Sequence, residues 1–301
     1  MTKEEVLARI AELRRQRKAV ILAHNYQIGE VQDIADYTGD SLGLSQEAAR
    51  SRAEVIVFCG VHFMAETAAI LSPQKTVLLP DPHAGCPMAD TISAQELREW
   101  KARYPGRKVV SYVNTTAEVK AESDICCTSS NAVKVVNSLP DEEILFVPDK
   151  NLAAYVARQT KKRIIAWDGC CYVHNQILAA DVLAKKRIHP QAEVWVHPEC
   201  RPEVIDLADR VLSTGHMVKA AQETMAQEVL VGTEAGIIYR LRKENARTAF
   251  FPVRDMAFCV NMKKITLIKV WTALEEMKFR VEVPMSVSQR ARGAIEKMIQ
   301  I

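Results

Sequence analysis

Residues 194–200 read VWVHPEC, an apolar, largely β-branched run that breaks into His197, Pro198, Glu199 and Cys200. Such groups do not belong in a core, because a buried polar group is costly unless it is paired. The stretch has two counterparts, VILAHNY at 20–26 and VVSYVNT at 109–115, each an apolar run followed by His or Tyr and then a polar group two positions on. His24, Tyr112 and His197 are spaced 88 and 85 positions apart. That spacing returns in the runs that follow. GDSLGLSQEAA (39–49), CTSSNAVKVV (127–136) and LSTGHMVKAA (212–221) each place Ser or Thr ahead of a helical pattern, with Ser41, Ser129 and Thr214 again 88 and 85 apart. A strand, a short turn and a helical pattern begin at Val55, Ile144 and Val229. Turns after the last strands end at Cys86, Cys171 and Cys259, spaced 85 and 88.

Four sets of segments in matching order imply repetition. Short β-branched runs such as AVILAH (19–24), KVVSYV (108–113) and EVWVHP (193–198) alternate with helical patterns almost throughout, which is α/β organisation with parallel sheets. The expected fold is three homologous three-layer α/β modules arranged around a pseudo-threefold axis. Their expected bounds are 1–100 with an N-terminal helix, 101–185 and 186–270, followed by a C-terminal helical segment, 271–301, packed on the modules. The N-terminal helix and the chain after Cys259 are expected to lie outside the repeat. Thr2 and Glu5 fit a capping box for the first helix.

Composition narrows the function. With 301 residues and 48% hydrophobic content the chain can bury a sizeable core. Lys and Arg number 40 against 37 Asp and Glu, without a basic stripe, and aromatics are 6%, so no nucleic-acid partner is expected. Val6, Ile10 and Leu13 are interrupted by charges, unlike a signal peptide, and no apolar run approaches the roughly 18 residues of a membrane span. A soluble, cytoplasmic protein without a membrane partner is expected. Eight Cys then read as free thiols or metal ligands rather than a disulfide framework.

Ligands of open parallel sheets sit beyond the carboxyl ends of the strands. If three modules face one axis, their strand ends line one cavity with His24, Tyr26, Tyr112, Asn114, His197 and Glu199, although each alone reads more readily as an ordinary strand terminus. Ser41, Ser129 and Thr214 are ordinary N-cap types. Three helix starts aimed at one cavity would also suit a substrate with several anionic groups, because their free N–H groups and dipoles favour negative charge. One Cys per module, at 86, 171 and 259, would meet on the axis, and the absence of any C-x-x-C argues against a zinc ribbon or a thioredoxin-type site. Iron–sulfur clusters normally take four Cys. A cluster held by three keeps one iron open as a Lewis acid, which suits dehydration. Cys59, Cys126, Cys127, Cys170 and Cys200 read as structural or accessory.

At these residues the sequence resembles a known family. HNYQ with GDSLGLS, GCPMAD around Cys86, YVNT with TSSNA, the run from Trp167 to His174, HPE, STG and the stretch from Cys259 to Lys263 together resemble quinolinate synthase over about 20–275. The resemblance implies condensation of iminoaspartate with dihydroxyacetone phosphate, with loss of phosphate and water, to quinolinate on the route to NAD. It implies a 4Fe-4S cluster held by Cys86, Cys171 and Cys259 with one open iron, the family pattern choosing Cys171 over its neighbour Cys170. His24, Ser41, Tyr112, Asn114, Ser129, His197, Pro198, Glu199 and Thr214 would bind substrates, and Tyr26, Tyr112, His197 and Glu199 would share proton transfers, with Glu199 the first choice of base. His174 and Met262 would support the site from behind. An aspartate-oxidising enzyme is the expected source of iminoaspartate. Two other readings are an iron–sulfur hydro-lyase acting on a small hydroxy acid, and a non-enzyme whose Cys trio holds structural zinc or senses oxidants. No G-x-G-x-x-G follows the first strand and no P-loop is present, which disfavours a nucleotide-dependent enzyme.

Overall fold

The computed structural model describes residues 2–301. Each third of the chain forms one four-stranded, wholly parallel sheet. The first contains β1 (Ala19–His24), β2 (Tyr37–Gly39), β3 (Val55–Cys59) and β4 (Thr76–Leu78), ordered β2-β1-β3-β4. In the second, β5 (Lys108–Tyr112), β6 (Ile125–Cys127), β7 (Glu143–Val147) and β8 (Arg163–Ala166) are ordered β6-β5-β7-β8. The third has β9 (Glu193–Val196), β10 (Arg210–Val211), β11 (Glu228–Gly232) and β12 (Ala249–Pro252), ordered β10-β9-β11-β12. One topology is thus built three times, as the repeated segments require.

Helix α1 (Lys3–Gln16) precedes the first sheet, and α2 (Gly29–Ile34), α3 (Ser41–Arg50) and α4 (His62–Leu71) connect its strands. Helix α5 (Ala94–Arg103) leads into the second, connected by α6 (Ala117–Ala121), α7 (Ala132–Ser138) and α8 (Lys150–Arg158). Then α9 (Tyr172–Asn175) and α10 (Ala179–Ile188) lead into the third, connected by α11 (Pro202–Ile205), α12 (Thr214–Glu223) and α13 (Ile237–Glu244), and α14 (Leu267–Glu276) and α15 (Met285–Gln300) follow. Helix α1 starts with the expected capping box between Thr2 and Glu5. Central strands carry unbroken apolar runs because helices cover both sheet faces; all five residues of β3 are buried. The edge strands β2, β6 and β10 are not among the expected runs. They span only two or three residues, too short for any periodicity, and exist because a neighbouring strand pairs with them.

The expected boundaries at 100/101, 185/186 and 270/271 all fall inside helices, α5, α10 and α14. Each of these is ten residues long and starts eight positions after a cysteine, since 94 − 86, 179 − 171 and 267 − 259 are all 8. Each crosses to the next module. Helix α5 buries Leu97 and Trp100 with Val109 and Leu145 of the second sheet, and α10 packs on β11 of the third. Helix α14 packs on α1 and β3 of the first. The chain after Cys259 is therefore not wholly outside the repeat: α14 closes the ring that α5 and α10 begin. Helix α15 is an addition. It buries Ala291, Ala294, Ile295 and Met298, one helical stripe, against α4, α6 and β6, and so straps the first module to the second. Among the described residues no helix is long and apolar enough to cross a membrane.

Candidate active site

His24 and Tyr112 are the last residues of β1 and β5, and His197 follows β9 directly, so the first strand of every sheet delivers a ring to its carboxyl end. These ends converge. One cavity, with about 680 Å³ of space between atoms, is lined by His24, Tyr26, Ser41, Tyr112, Asn114, Ser129, His197, Glu199 and Thr214 together with Cys86, Cys171 and Cys259. Pro198 is buried but does not line it. Side chains two apart share a side of an extended segment, so placing His197 and Glu199 inward turns Pro198 away.

The helix starts differ from the cap reading. Asp40 caps α3 by accepting from the Gly43 N–H, and Ser213 caps α12 by accepting from the His216 N–H. Ser41 and Thr214 are the first helical residues instead, and Ser129 precedes the N-cap of α7, Asn131, by two. No cap bond engages the hydroxyls of Ser41 and Thr214, and the Ser129 hydroxyl faces the His197 ring. The three starts are joined: the Ser130 hydroxyl contacts the Asp40 carboxylate and, at 2.9 Å, the Ser213 hydroxyl. No Lys or Arg lines the cavity. Anionic groups would be held by hydroxyls, amides and helix N-termini, and the buried Asn114 amide oxygen has no partner within the protein.

The three cavity cysteines occupy equivalent places, each just ahead of a helical turn. Cys86 precedes a turn at Ala89–Thr91, Cys171 is the N-cap of α9 and Cys259 precedes a turn at Met262–Lys264. Backbone N–H groups lie at each sulfur, from Ala89 and Met88 at Cys86, from His174 at Cys171, and from Met262 and Asn261 at Cys259. Burial nonetheless pushes all three thiols up, Cys86 to about 12, so thiolates here require a bound cationic centre. A metal cluster fits this donor set. The one set of three donor atoms all within 4.8 Å of one another, among the described residues, is Cys171, His174 and Glu199. At least one pair of the three cavity sulfurs is therefore more than 4.8 Å apart, wider than the roughly 3.8 Å that a single ion with 2.3 Å metal–sulfur bonds imposes, which disfavours structural zinc and suits a polynuclear centre. Cys170 does not line the cavity. Cys59, Cys126, Cys127 and Cys200 are fully buried in the core.

Beside the sulfurs runs a chain of buried polar groups. The Tyr112 hydroxyl donates to Glu199 Oε1 at 2.5 Å, and Glu199 Oε2 lies 3.0 Å from His174 Nδ1. That second contact has ion-pair distance without hydrogen-bond alignment. His174 Nε2 is 2.7 Å from the Thr233 hydroxyl, which meets the Tyr26 hydroxyl at 2.5 Å. The rings of His174 and His197 stack at 4.6 Å, and His197 Nε2 reaches Ser129 Oγ at 3.2 Å. Burial raises both tyrosines well above 10, so they stay protonated. It lowers His24 to about 4 and His197 to about 3, leaving them neutral. Burial pushes the Glu199 carboxyl up, but the facing imidazoles, His174 foremost, and the Tyr112 hydroxyl outweigh it and hold the group at about 2. Thr233 was not anticipated from sequence, and His174 only as a supporting residue; Thr233 follows β11 in a strand-end GT that reads as an ordinary turn.

A family profile described as "Quinolinate synthetase A protein" matches residues 8–300. The chain belongs to the quinolinate synthase family. The quinolinate synthase of Dehalococcoides mccartyi is 60% identical over 301 residues, covering 100% of both chains. Those of Thermodesulfovibrio yellowstonii and Methanosarcina barkeri are each 53% identical over 301 residues, covering 100% of this chain and 98% and 99% of theirs. The likeness therefore spans all three modules, α14 and α15.

Proposed function

We propose that this chain, a quinolinate synthase of NAD biosynthesis, condenses iminoaspartate with dihydroxyacetone phosphate, losing phosphate and water to form quinolinate, at the cavity where the three modules meet. The observation that carries the reading is the convergence of one cysteine, one ring-bearing strand end and one helix start from each module on that cavity. Cys86, Cys171 and Cys259 would hold a 4Fe-4S cluster. When bound, a cluster with three cysteine ligands supplies an iron with a vacant position, a Lewis acid for a substrate oxygen.

The protein's own groups bind, orient and move protons. Ser41, Ser129 and Thr214 with their backbone N–H groups, and Asn114, receive the carboxylates and phosphate without a cationic side chain. His24 and His197, neutral through the physiological range, donate or accept single hydrogen bonds to the same anions without locking them in ion pairs. Tyr26 is the proton donor at one end of the buried chain and Tyr112 at the other. Glu199 is the acceptor between them. A carboxyl at about 2 is a weak base, but anionic substrates and thiolates brought within the cavity raise it by like-charge repulsion. An aspartate-oxidising enzyme would supply iminoaspartate.

The test is product analysis with anaerobically purified protein. Quinolinate from iminoaspartate and dihydroxyacetone phosphate supports the reading, and only hydration or dehydration of a hydroxy acid would favour the hydro-lyase alternative. Iron and sulfide content should vanish in Cys86→Ala, Cys171→Ala and Cys259→Ala and persist in Cys170→Ala. The reverse result for the adjacent pair Cys170 and Cys171 would refute the ligand assignment.

A further inference from the structure

Where the third strand of each module turns into its helix, the chain touches the loop that carries the cavity cysteine. The contact repeats three times: the N–H groups of His62, Lys150 and Ala235 each donate at 2.8 Å to the carbonyl two residues before a cysteine, those of Ala84, Gly169 and Ala257. Two modules add a second strap. Asp149 is fully buried; its Oδ1 accepts from the Leu152 N–H at 2.7 Å and its Oδ2 from the Cys171 N–H at 2.9 Å. Glu234 is fully buried as well; its Oε2 accepts from the Gly236 N–H at 2.8 Å and its Oε1 from the Cys259 N–H at 3.1 Å, with Lys263 Nζ 2.8 Å from the same oxygen. The two carboxylates are equivalent in the repeat, 85 positions apart. The first module's equivalent, 88 before Asp149, is Val61, which offers no such acceptor to Cys86.

We propose that Asp149 and Glu234 are positioning residues for the metal centre: each clamps one cysteine loop to the scaffold through that cysteine's own amide, whereas no carboxylate accepts from the Cys86 amide and its loop is fastened further back, through Asp81 and Lys264 at His83. The proposal rests on the cluster reading given above. A carboxylate is required because two N–H groups must be satisfied by two separate oxygens. An amide has one acceptor, so Asp149→Asn or Glu234→Gln leaves one buried N–H facing an NH₂ group. The clamp fixes the backbone from which Cys171 and Cys259 project, and loss of such outer partners commonly lowers metal affinity about 10- to 100-fold.

The experiment uses anaerobic, cluster-loaded wild type, Asp149→Asn, Glu234→Gln and the control Glu66→Gln. Glu66 is also a buried carboxylate accepting a backbone N–H, from Ala117 at 3.1 Å, but it holds a helix and no cysteine loop. Iron release to a chelator and the visible circular dichroism of the cluster are followed, the latter being sensitive to ligand orientation and not to general loosening. Expected is about 10- to 100-fold faster release with an altered spectrum in both clamp variants, and wild-type behaviour in the control. Wild-type release and spectrum in both clamp variants overturn the proposal, as does equal release from Glu66→Gln. A wild type that carries no iron and sulfide overturns the cluster reading beneath it instead.

Discussion

Replacing Glu199 by Gln keeps the shape of the side chain and removes its charge at the middle of the Tyr112–Glu199–His174–Thr233–Tyr26 chain. Despite full burial, which opposes it, the carboxyl is held below its ordinary range by the facing imidazoles, His174 foremost, and by the Tyr112 hydroxyl, so the site favours the ion. The amide forfeits that preference, turns the 2.5 Å charge-assisted bond from Tyr112 into a neutral one, and presents no site that takes up a proton. Loss of a positioned general base lowers turnover about 10²- to 10⁴-fold. The groups expected to hold the anions, Ser41, Asn114, Ser129 and Thr214, are untouched, so KM should change only a few-fold. The assay is quinolinate formation by anaerobic protein from dihydroxyacetone phosphate and freshly generated iminoaspartate, normalised to iron and sulfide per chain. Near-wild-type kcat with a normal cluster content would refute the assignment of Glu199. A parallel fall in kcat and cluster content would instead make Glu199 a support of the metal centre.

Other substitutions report on the surrounding parts. Thr233→Val conserves volume but cuts the hydroxyl that links His174 to Tyr26; stability should drop by about 1 to 2 kcal/mol and kcat by about 10²-fold, read by denaturant unfolding and product assay. In Gly215→Ala the new Cβ falls 2.7 Å from Asp40 Oδ2, so Asp40 must leave the junction of helix starts. KM for the phosphate-bearing substrate should then rise about tenfold, or about 1.4 kcal/mol, with cluster content unchanged. Stability should also fall with acid. His24 and His197 stay neutral in the fold down to about 4 and 3 but take up a proton near 6.5 once unfolded, so the unfolded state binds more protons below 6.5 and stability is lost as pH falls through that range. Each contributes about 2 kcal/mol of loss by pH 5. An unfolding midpoint that does not move between pH 7 and pH 5 would contradict this, and His197→Gln should flatten the dependence.

Much of the molecule is legible in the chain because repetition makes the sequence its own alignment. A lone His24 or Ser129 is indistinguishable from a strand terminus or a turn, but three such residues in one register point to one cavity. The register has limits. The bounds it suggests, 100/101, 185/186 and 270/271, cut through α5, α10 and α14, the helices that cross between modules and carry no strand pattern of their own. Nor does it single out Asp149 and Glu234, because a carboxylate that caps a helix and one that clamps a cysteine amide look alike until the partner loop is in place.

Local physics and internal repetition together determined the α/β class, the threefold plan, the strand-end rings and the trio of cysteines, since each depends on residue type and spacing along the chain. Only the tertiary structure decided that Pro198 faces away while Glu199 meets Tyr112 and His174, that Thr233 completes the chain to Tyr26, and that α14 closes the ring on the first module. Those are contacts between residues as many as 266 positions apart, set by how the modules pack, and no pattern within a single element encodes them.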